Sequence, residues 1–145
     1  YAHTPDALEQ VLMSLKNQTE RKIYLVFGCG GERDKGKRSQ MGKVAENIAD
    51  SIIITDDNPR NESASKIRSD ILAGCPDAMQ IANRDEAIEF AINQLQHCDS
   101  LLIAGKGHEN LQLIGSETLP FNDAVVARNS VMRLRETILK SEAKK

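Results

Sequence analysis

Short apolar runs alternate with amphipathic segments along almost the whole chain, and few folds can accommodate that alternation. Lys22 to Phe27, Ile52 to Ile54, Ala78 to Ile81 and Leu101 to Ala104 are rich in β-forming residues and carry no regular polar positions. Such runs predict strands covered on both faces. Between and around them, apolar residues recur at three- and four-residue spacing, as in Leu8, Val11, Leu12 and Leu15, in Met41, Val44, Ala45 and Ile48, and in Ile67, Ile71 and Leu72. Ala87, Ile88, Ala91, Ile92 and Leu95 continue the pattern, which predicts helices. A parallel neighbour in a sheet requires a crossover, and a helix supplies it. The expected fold is therefore α/β, a doubly wound, mostly parallel, Rossmann-like sheet in a single domain.

Local signals set the element ends. Thr4 precedes Pro5 and predicts a capped helix start, and Gly74 predicts the end of the helix through Ile71 and Leu72. Gln112 to Gly115 predicts a further strand, and Phe121-Asn122-Asp123 caps a last helix through Val125, Val126, Val131, Leu134 and Ile138. With 145 residues the chain is the size of one domain. The expected boundaries are 1–140 for that domain and 141–145 for a frayed tail. A first residue Tyr1, with helix-start signals within five positions, is expected of a fragment from a longer chain.

Composition excludes several function classes. A net charge of −2 opposes general nucleic-acid binding, which needs a positive excess against phosphates. No apolar run approaches the roughly 20 residues that would span a bilayer. Cys29, Cys75 and Cys98 are odd in number and lack metal-type spacing, so buried thiols in a reducing cytoplasm are expected rather than disulfides or a structural metal site. His97, beside Cys98 at a helix end, is expected to be structural.

Three loops follow predicted strands and so should share the carboxyl edge of the sheet, where open α/β folds bind ligands. Gly28 to Arg38 carries four glycines among charged residues. Its Gly28, Gly30 and Gly31 invite a dinucleotide-binding reading, but Arg33 stands where a third glycine would allow close helix packing. Gly31 to Lys37 nearly spells a phosphate-binding loop, with Arg38 in place of the hydroxyl that would hold magnesium. The plainer alternative for Arg33, Lys35, Lys37 and Arg38 is a solvated basic loop. Asp56 to Arg60 has the residues of a turn, yet a turn does not need Arg60, whose guanidinium can clamp a carboxylate. Gly105-Lys106-Gly107-His108-Glu109 would let backbone approach a ligand while Glu109 accepts from an amine. Arg33 and Arg60 for carboxylates, with Asp57 and Glu109 for ammonium groups, point to a zwitterionic, two-headed ligand.

Four segments together carry a family resemblance: Tyr1-Ala2-His3-Thr4-Pro5-Asp6, Phe27 to Arg38, Asp57-Asn58-Pro59-Arg60, and Ala104 to Glu109. In this order they resemble the C-terminal domain of the Mur ligases, specifically those that add meso-diaminopimelate to UDP-MurNAc-L-Ala-D-Glu in peptidoglycan synthesis. The resemblance implies an ATP- and Mg2+-dependent ligase that proceeds through an acyl phosphate. It implies that Arg33, Asp57, Asn58, Arg60, Gly105 and Glu109 bind meso-diaminopimelate, with Arg60 selecting its second carboxylate, and that His3 touches ATP. The magnesium ligands, the phosphate-binding loop and the site for the uridine end belong to central and N-terminal domains outside this chain, so no catalytic or metal-binding residue is expected here and the chain alone is not expected to catalyse. A monomer is expected. The family usually has aspartate at Glu32, and proline and leucine at Ser39 and Gln40. The rival readings are a Rossmann-type nucleotide-binding module and a non-catalytic interaction domain.

Overall fold

The computed structural model describes residues 1–145. Four strands, β1 (Ile23–Phe27), β2 (Ser51–Ile54), β3 (Met79–Gln80) and β4 (Ser100–Ile103), form one sheet in the order β3-β2-β1-β4. Every pairing is parallel, with Leu25 opposite Ile52 on one side and opposite Leu102 on the other. The helices are α1 (Pro5–Gln18), α2 (Gly36–Ile48), α3 (Ala64–Leu72), α4 (Arg84–Gln94) and α5 (Asp123–Ala143).

Strand periodicity divides the apolar residues between two layers. Ile23, Leu25, Phe27 and Ile54 pack with Leu8, Leu12, Met41, Ala45, Ile67 and Ile71, so α1, α2 and α3 cover one face. Val26 and Ile53 point the other way, against Ala87, Ile88, Ala91 and Ile92 of α4 and, behind them, Val126 and Leu134 of α5. Helices on both faces explain why the strands lack polar alternation. No helix is long and apolar enough to cross a membrane.

Four helices begin at side-chain caps. Thr4, Ser63, Asn83 and Asn122 each accept a hydrogen bond from a first-turn N–H of α1, α3, α4 and α5. Helix α2 instead starts at Gly36, inside the segment expected to be loop, after Lys35, which makes no side-chain cap.

Other boundaries differ from expectation as well, β3 being only the two residues Met79–Gln80. Strand β5 (Leu111–Ile114) does form, but it leaves the parallel sheet and pairs antiparallel with β6 (Glu117–Pro120) across Gly115-Ser116. Strand β6 is exposed along its length, so burial left no apolar signature there. Helix α5 continues through Ser141, Glu142 and Ala143, into the segment expected to be a frayed tail. Those residues are exposed, and backbone hydrogen bonding rather than packing carries the helix on.

The carboxyl ends of the strands are tied together from beneath by Arg84. Its Nε donates to Asp123 Oδ1 at 2.7 Å and its Nη2 to Oδ2 at 2.8 Å, while Nη2 also donates to the Ala104 carbonyl at 3.0 Å. Arg84 Nη1 donates to the Asp56 carbonyl at 3.4 Å. The starts of α4 and α5, the end of β4 and the loop after β2 thus meet at one buried guanidinium. Removing one partner of a buried pair strands the other in low dielectric, so Arg84→Met should cost about 3–5 kcal/mol in urea unfolding. The double variant Arg84→Met/Asp123→Leu should recover most of that loss; equal unfolding midpoints for the single and double variants would contradict the account.

Candidate functional site

Because all four strands run the same way, the loops after β1, β2 and β4 emerge on one edge. There they enclose a cleft of about 270 Å³ lined by His3, Gly30, Arg33, Lys37, Asp57, Asn58, Arg60 and Glu109. None of these is hydrophobic. A lining of this kind suits a small, multiply charged ligand and offers little to an apolar one. Gly105 lies directly behind it, its φ of 108° in the left-handed region, and a Cβ there would stand 2.7 Å from Asp57 Oδ2. The residues expected to bind ligand, His3, Arg33, Asp57, Asn58, Arg60, Gly105 and Glu109, therefore all lie at this edge. Lys37, which the sequence places in a near-miss phosphate-binding loop or a solvated basic one, joins the lining and donates to the His3 carbonyl at 2.9 Å.

The glycines of the first loop serve packing between loops. A Cβ at Gly28 would lie 2.2 Å from the Thr55 carbonyl oxygen, and one at Gly31 would lie 1.9 Å from the Pro59 oxygen. The loops after β1 and β2 are in backbone contact, fixed by Gly31 N–H donating to the Asn58 carbonyl at 2.8 Å. The glycines are thus accounted for without a bound pyrophosphate.

Arg60 sits at φ 54°, an uncommon region for a residue with a Cβ. Strand β5 holds it there: Arg60 N–H donates to the Leu113 carbonyl at 3.0 Å, and Gly115 N–H to the Arg60 carbonyl at 2.6 Å. Its Nη1 donates to the carbonyls of Gly31 at 2.9 Å and Asn58 at 3.4 Å, so the guanidinium is oriented by backbone. Arg33 is exposed and lies on the same side, since a Cβ at Gly30 would stand 3.0 Å from Arg60 Nη1 and 3.7 Å from Arg33 Cγ. Asp57 and Asn58 are buried, whereas the Glu109 side chain is 29% exposed and meets both Asn58 Nδ2 (3.2 Å) and Lys106 Nζ (3.3 Å).

Two cations of these loops, Arg38 and Lys106, are wholly buried. Arg38 donates two hydrogen bonds to Glu62, at 2.7 and 2.9 Å, and others to Asp70 and the Gly30 carbonyl. It braces the first loop and cannot face a nucleotide. Lys106 reaches Asn58 Oδ1 at 2.7 Å and the Leu111 carbonyl at 2.9 Å. Neither position carries a sequence signal that separates it from an exposed basic residue. Glu32, at φ 55°, accepts from Asn61 Nδ2, and Ser39 and Gln40 lie within α2.

Burial lowers the His3 pKa below its ordinary 6.5, outweighing the opposing pull of Asp57 and Glu109, so the imidazole is neutral at pH 7. Tyr1 packs against it and edge-on against His108, with Tyr1 Oη 3.2 Å from His108 Nε2. Burial also raises the Cys29 thiol to about 12 and the Cys75 thiol to about 11, so both are unreactive. Cys98, expected to be buried, is only partly so, in a turn where its φ is 70°, and His97 is exposed beside it. No group of three or more His, Cys, Asp or Glu is placed to hold a metal ion.

The fold and site define a parallel α/β domain with a fully polar cleft at its carboxyl edge. Residues 1–107 match the family described as Mur ligase, glutamate ligase domain. The chain belongs to that family. It is 58% identical over 135 residues to the UDP-N-acetylmuramoyl-L-alanyl-D-glutamate--2,6-diaminopimelate ligase of Rickettsia montanensis, a match covering 90% of this chain and 28% of that protein. A solved structure of a ligase of the same name superposes with a TM-score of 0.88 at 43% identity, covering 93% of this chain and 28% of the other. Escherichia coli FolC in complex with ADP shares the fold at 16% identity and a TM-score of 0.56, covering 96% of this chain and 28% of that one. The chain thus spans under a third of the length of these relatives.

The brace beneath the first loop has a pH signature. The Arg38 guanidinium, helped by the Glu32 N–H, holds Glu62 down to about 2 from an ordinary 4.5. A depressed carboxyl contributes stability above its unfolded pKa and loses it as pH falls through the folded value. Stability should therefore decline from about pH 4.5 towards pH 2, and Glu62→Gln should be less stable than wild type at neutral pH with a flatter acid limb. Urea unfolding at pH 7, 5 and 3 checks this, and parallel acid limbs for the two proteins would refute it.

Proposed function

We propose that this chain docks meso-diaminopimelate for an ATP-dependent ligase that joins it to UDP-MurNAc-L-Ala-D-Glu in peptidoglycan synthesis. The observation that carries the proposal is the cleft's paired charges, two guanidiniums and two carboxylates around a space of about 270 Å³. Asp57, Asn58, Arg60 and Glu109 hold the far amino and carboxylate groups, Gly105 lets backbone approach, and Arg33 takes the other carboxylate. Relatives at 58% identity bear the name of this ligase, which supports the substrate assignment.

The lining cations Arg33, Lys37 and Arg60 outnumber Asp57 and Glu109 by one. A ligand with two carboxylates and two amines is neutral when both amines are protonated and carries −1 when one is not. The excess positive charge favours the second form, whose neutral amine is the nucleophile. Most of the domain's contribution is orientation of that amine. ATP, with Mg2+, supplies activation of the D-glutamate carboxylate as an acyl phosphate. Neutral His3, beside Tyr1, suits contact with the nucleotide. On this reading the metal and most of the nucleotide are held by other domains of the parent ligase, and the chain supplies the amino-acid dock rather than the whole catalytic site. A monomeric, cytoplasmic protein that binds neither nucleic acid nor membrane fits the composition.

The packing role of Gly28 and Gly31 weighs against the alternative, a Rossmann-type nucleotide module. Titration of the 15N-labelled chain separates the two. Meso-diaminopimelate should shift resonances of the loops around Asp57 and Glu109, whereas NAD should not. Arg60→Ala should weaken meso-diaminopimelate binding roughly 10- to 150-fold, the worth of one hydrogen-bonded charge contact. Shifts with NAD and none with meso-diaminopimelate would favour the alternative.

A further inference from the structure

Asn58 is the one neutral side chain among the groups assigned above to the far end of the ligand, and its usefulness depends on which way its amide faces. An amide presents a donor on one side and an acceptor on the other, at nearly the same size and shape. If Nδ2 faces the cleft, the residue attracts a carboxylate; if Oδ1 does, it repels one and attracts an ammonium instead.

Three contacts bear on that choice, and the strongest comes from Lys106. This ammonium has no solvent exposure and donates to Asn58 Oδ1 at 2.7 Å. The Leu113 N–H donates to the same oxygen at 3.0 Å. On the other side Asn58 Nδ2 donates to Glu109 Oε2 at 3.2 Å, and Lys106 closes the ring by reaching Glu109 Oε2 at 3.3 Å. Lys106 is anchored in turn by the Leu111 carbonyl at 2.9 Å and lies 3.6 Å from Asp57 Oδ1. An ammonium is donor only, so Nδ2 cannot take the place of Oδ1 beside it without two donors facing each other. Without Lys106 the Leu113 N–H and the Glu109 carboxylate favour the same orientation, but Oδ1 keeps only a neutral donor, roughly half as strong as a charged one.

We propose that Lys106 is a positioning residue that locks the Asn58 amide with its donor towards the cleft and so builds in the preference for an amino acid with a distal carboxylate. It touches no ligand, lying beneath Asn58 and Glu109. The burial of a charge at this point is explained by that task, since a neutral residue packs more cheaply but leaves Asn58 Oδ1 with only the Leu113 N–H to hold it.

The inference rests on the assignment of meso-diaminopimelate to the cleft, and its test has one arm that does not. In the 15N-labelled wild-type chain the Lys106 ammonium should give a protected signal in contact with Asn58, and the Asn58 side-chain amide a single sharp pair. In Lys106→Met that pair should broaden or double. Affinity for meso-diaminopimelate should fall roughly tenfold or more, the effect expected when a charge-assisted contact becomes a repulsion. Lysine, which has no distal carboxylate, should lose much less, so the ratio of the two dissociation constants collapses. A general loss of structure would weaken both equally and leave the ratio unchanged. An Asn58 pair identical in wild type and Lys106→Met overturns the proposal, as does an unchanged ratio. Should Lys106→Met fail to fold, an unprotected Lys106 ammonium in the wild type overturns it and a protected one touching Asn58 upholds it. Absence of binding by the wild type, with the Asn58 pair still responding to Lys106→Met, removes the ligand assignment and leaves the locking intact.

Discussion

Three buried cations behind the carboxyl edge of the sheet hold the cleft in shape. Arg84 joins α4, α5, the end of β4 and the loop after β2; Arg38 joins α2 to the loop after β2 and to α3; Lys106 joins the loops after β2 and β4 to the hairpin. Desolvating a charge costs several kcal/mol, and the cost is offset only where acceptors surround it at hydrogen-bonding distance. Each loop can therefore occupy few positions, because moving one strands a charge. A loop edge that would otherwise be mobile becomes a surface with fixed chemistry.

This arrangement explains what could be read in the sequence. The four buried strands and their helical partners leave period and composition in the local chain, so the α/β class and the shared edge of three loops follow from residues near one another. The identity of the buried cations does not. Arg38, Lys106 and Arg84 owe their burial to Glu62 and Asp70, to Asn58, and to Asp123, partners between 24 and 48 residues away. A lysine between two glycines looks the same whether it faces water or a neighbouring loop. The hairpin was half legible for a related reason: β5 has apolar residues, while β6 is exposed throughout and is held by cross-strand pairing. The two-residue Gly115-Ser116 connection was the available clue.

The glycine-rich loop shows how a correct local observation can suggest a wrong cause. Gly28 and Gly31 are where close backbone approach requires glycine, but the approaching group is the loop after β2 rather than a phosphate. Close contact of the two loops brings Arg33 and Arg60 to one cleft. In the sequence, both explanations predict the same residues, and only the spatial partner distinguishes them. Arg38 makes the same point from the other direction, since it interrupts a phosphate-binding pattern by serving as a brace.

Arg60 links this scaffold to affinity. A left-handed conformation costs a residue with a Cβ roughly 1–2 kcal/mol. Two backbone hydrogen bonds to β5 and two carbonyl acceptors on Nη1 stabilise it in the free protein. A flexible arginine loses up to about 2 kcal/mol of rotamer entropy when a ligand fixes it. Here much of that ordering accompanies folding, so less is charged to binding. Besides this backbone clamp the hairpin meets the cleft residues through the Leu113 N–H on Asn58 Oδ1 and the Gln112 side chain on the Asp57 carbonyl, and it sets how the guanidinium is presented. Its contribution to recognition is to keep Arg60 ready, and that role requires pairing between β5 and β6 rather than any particular exposed side chain on β6.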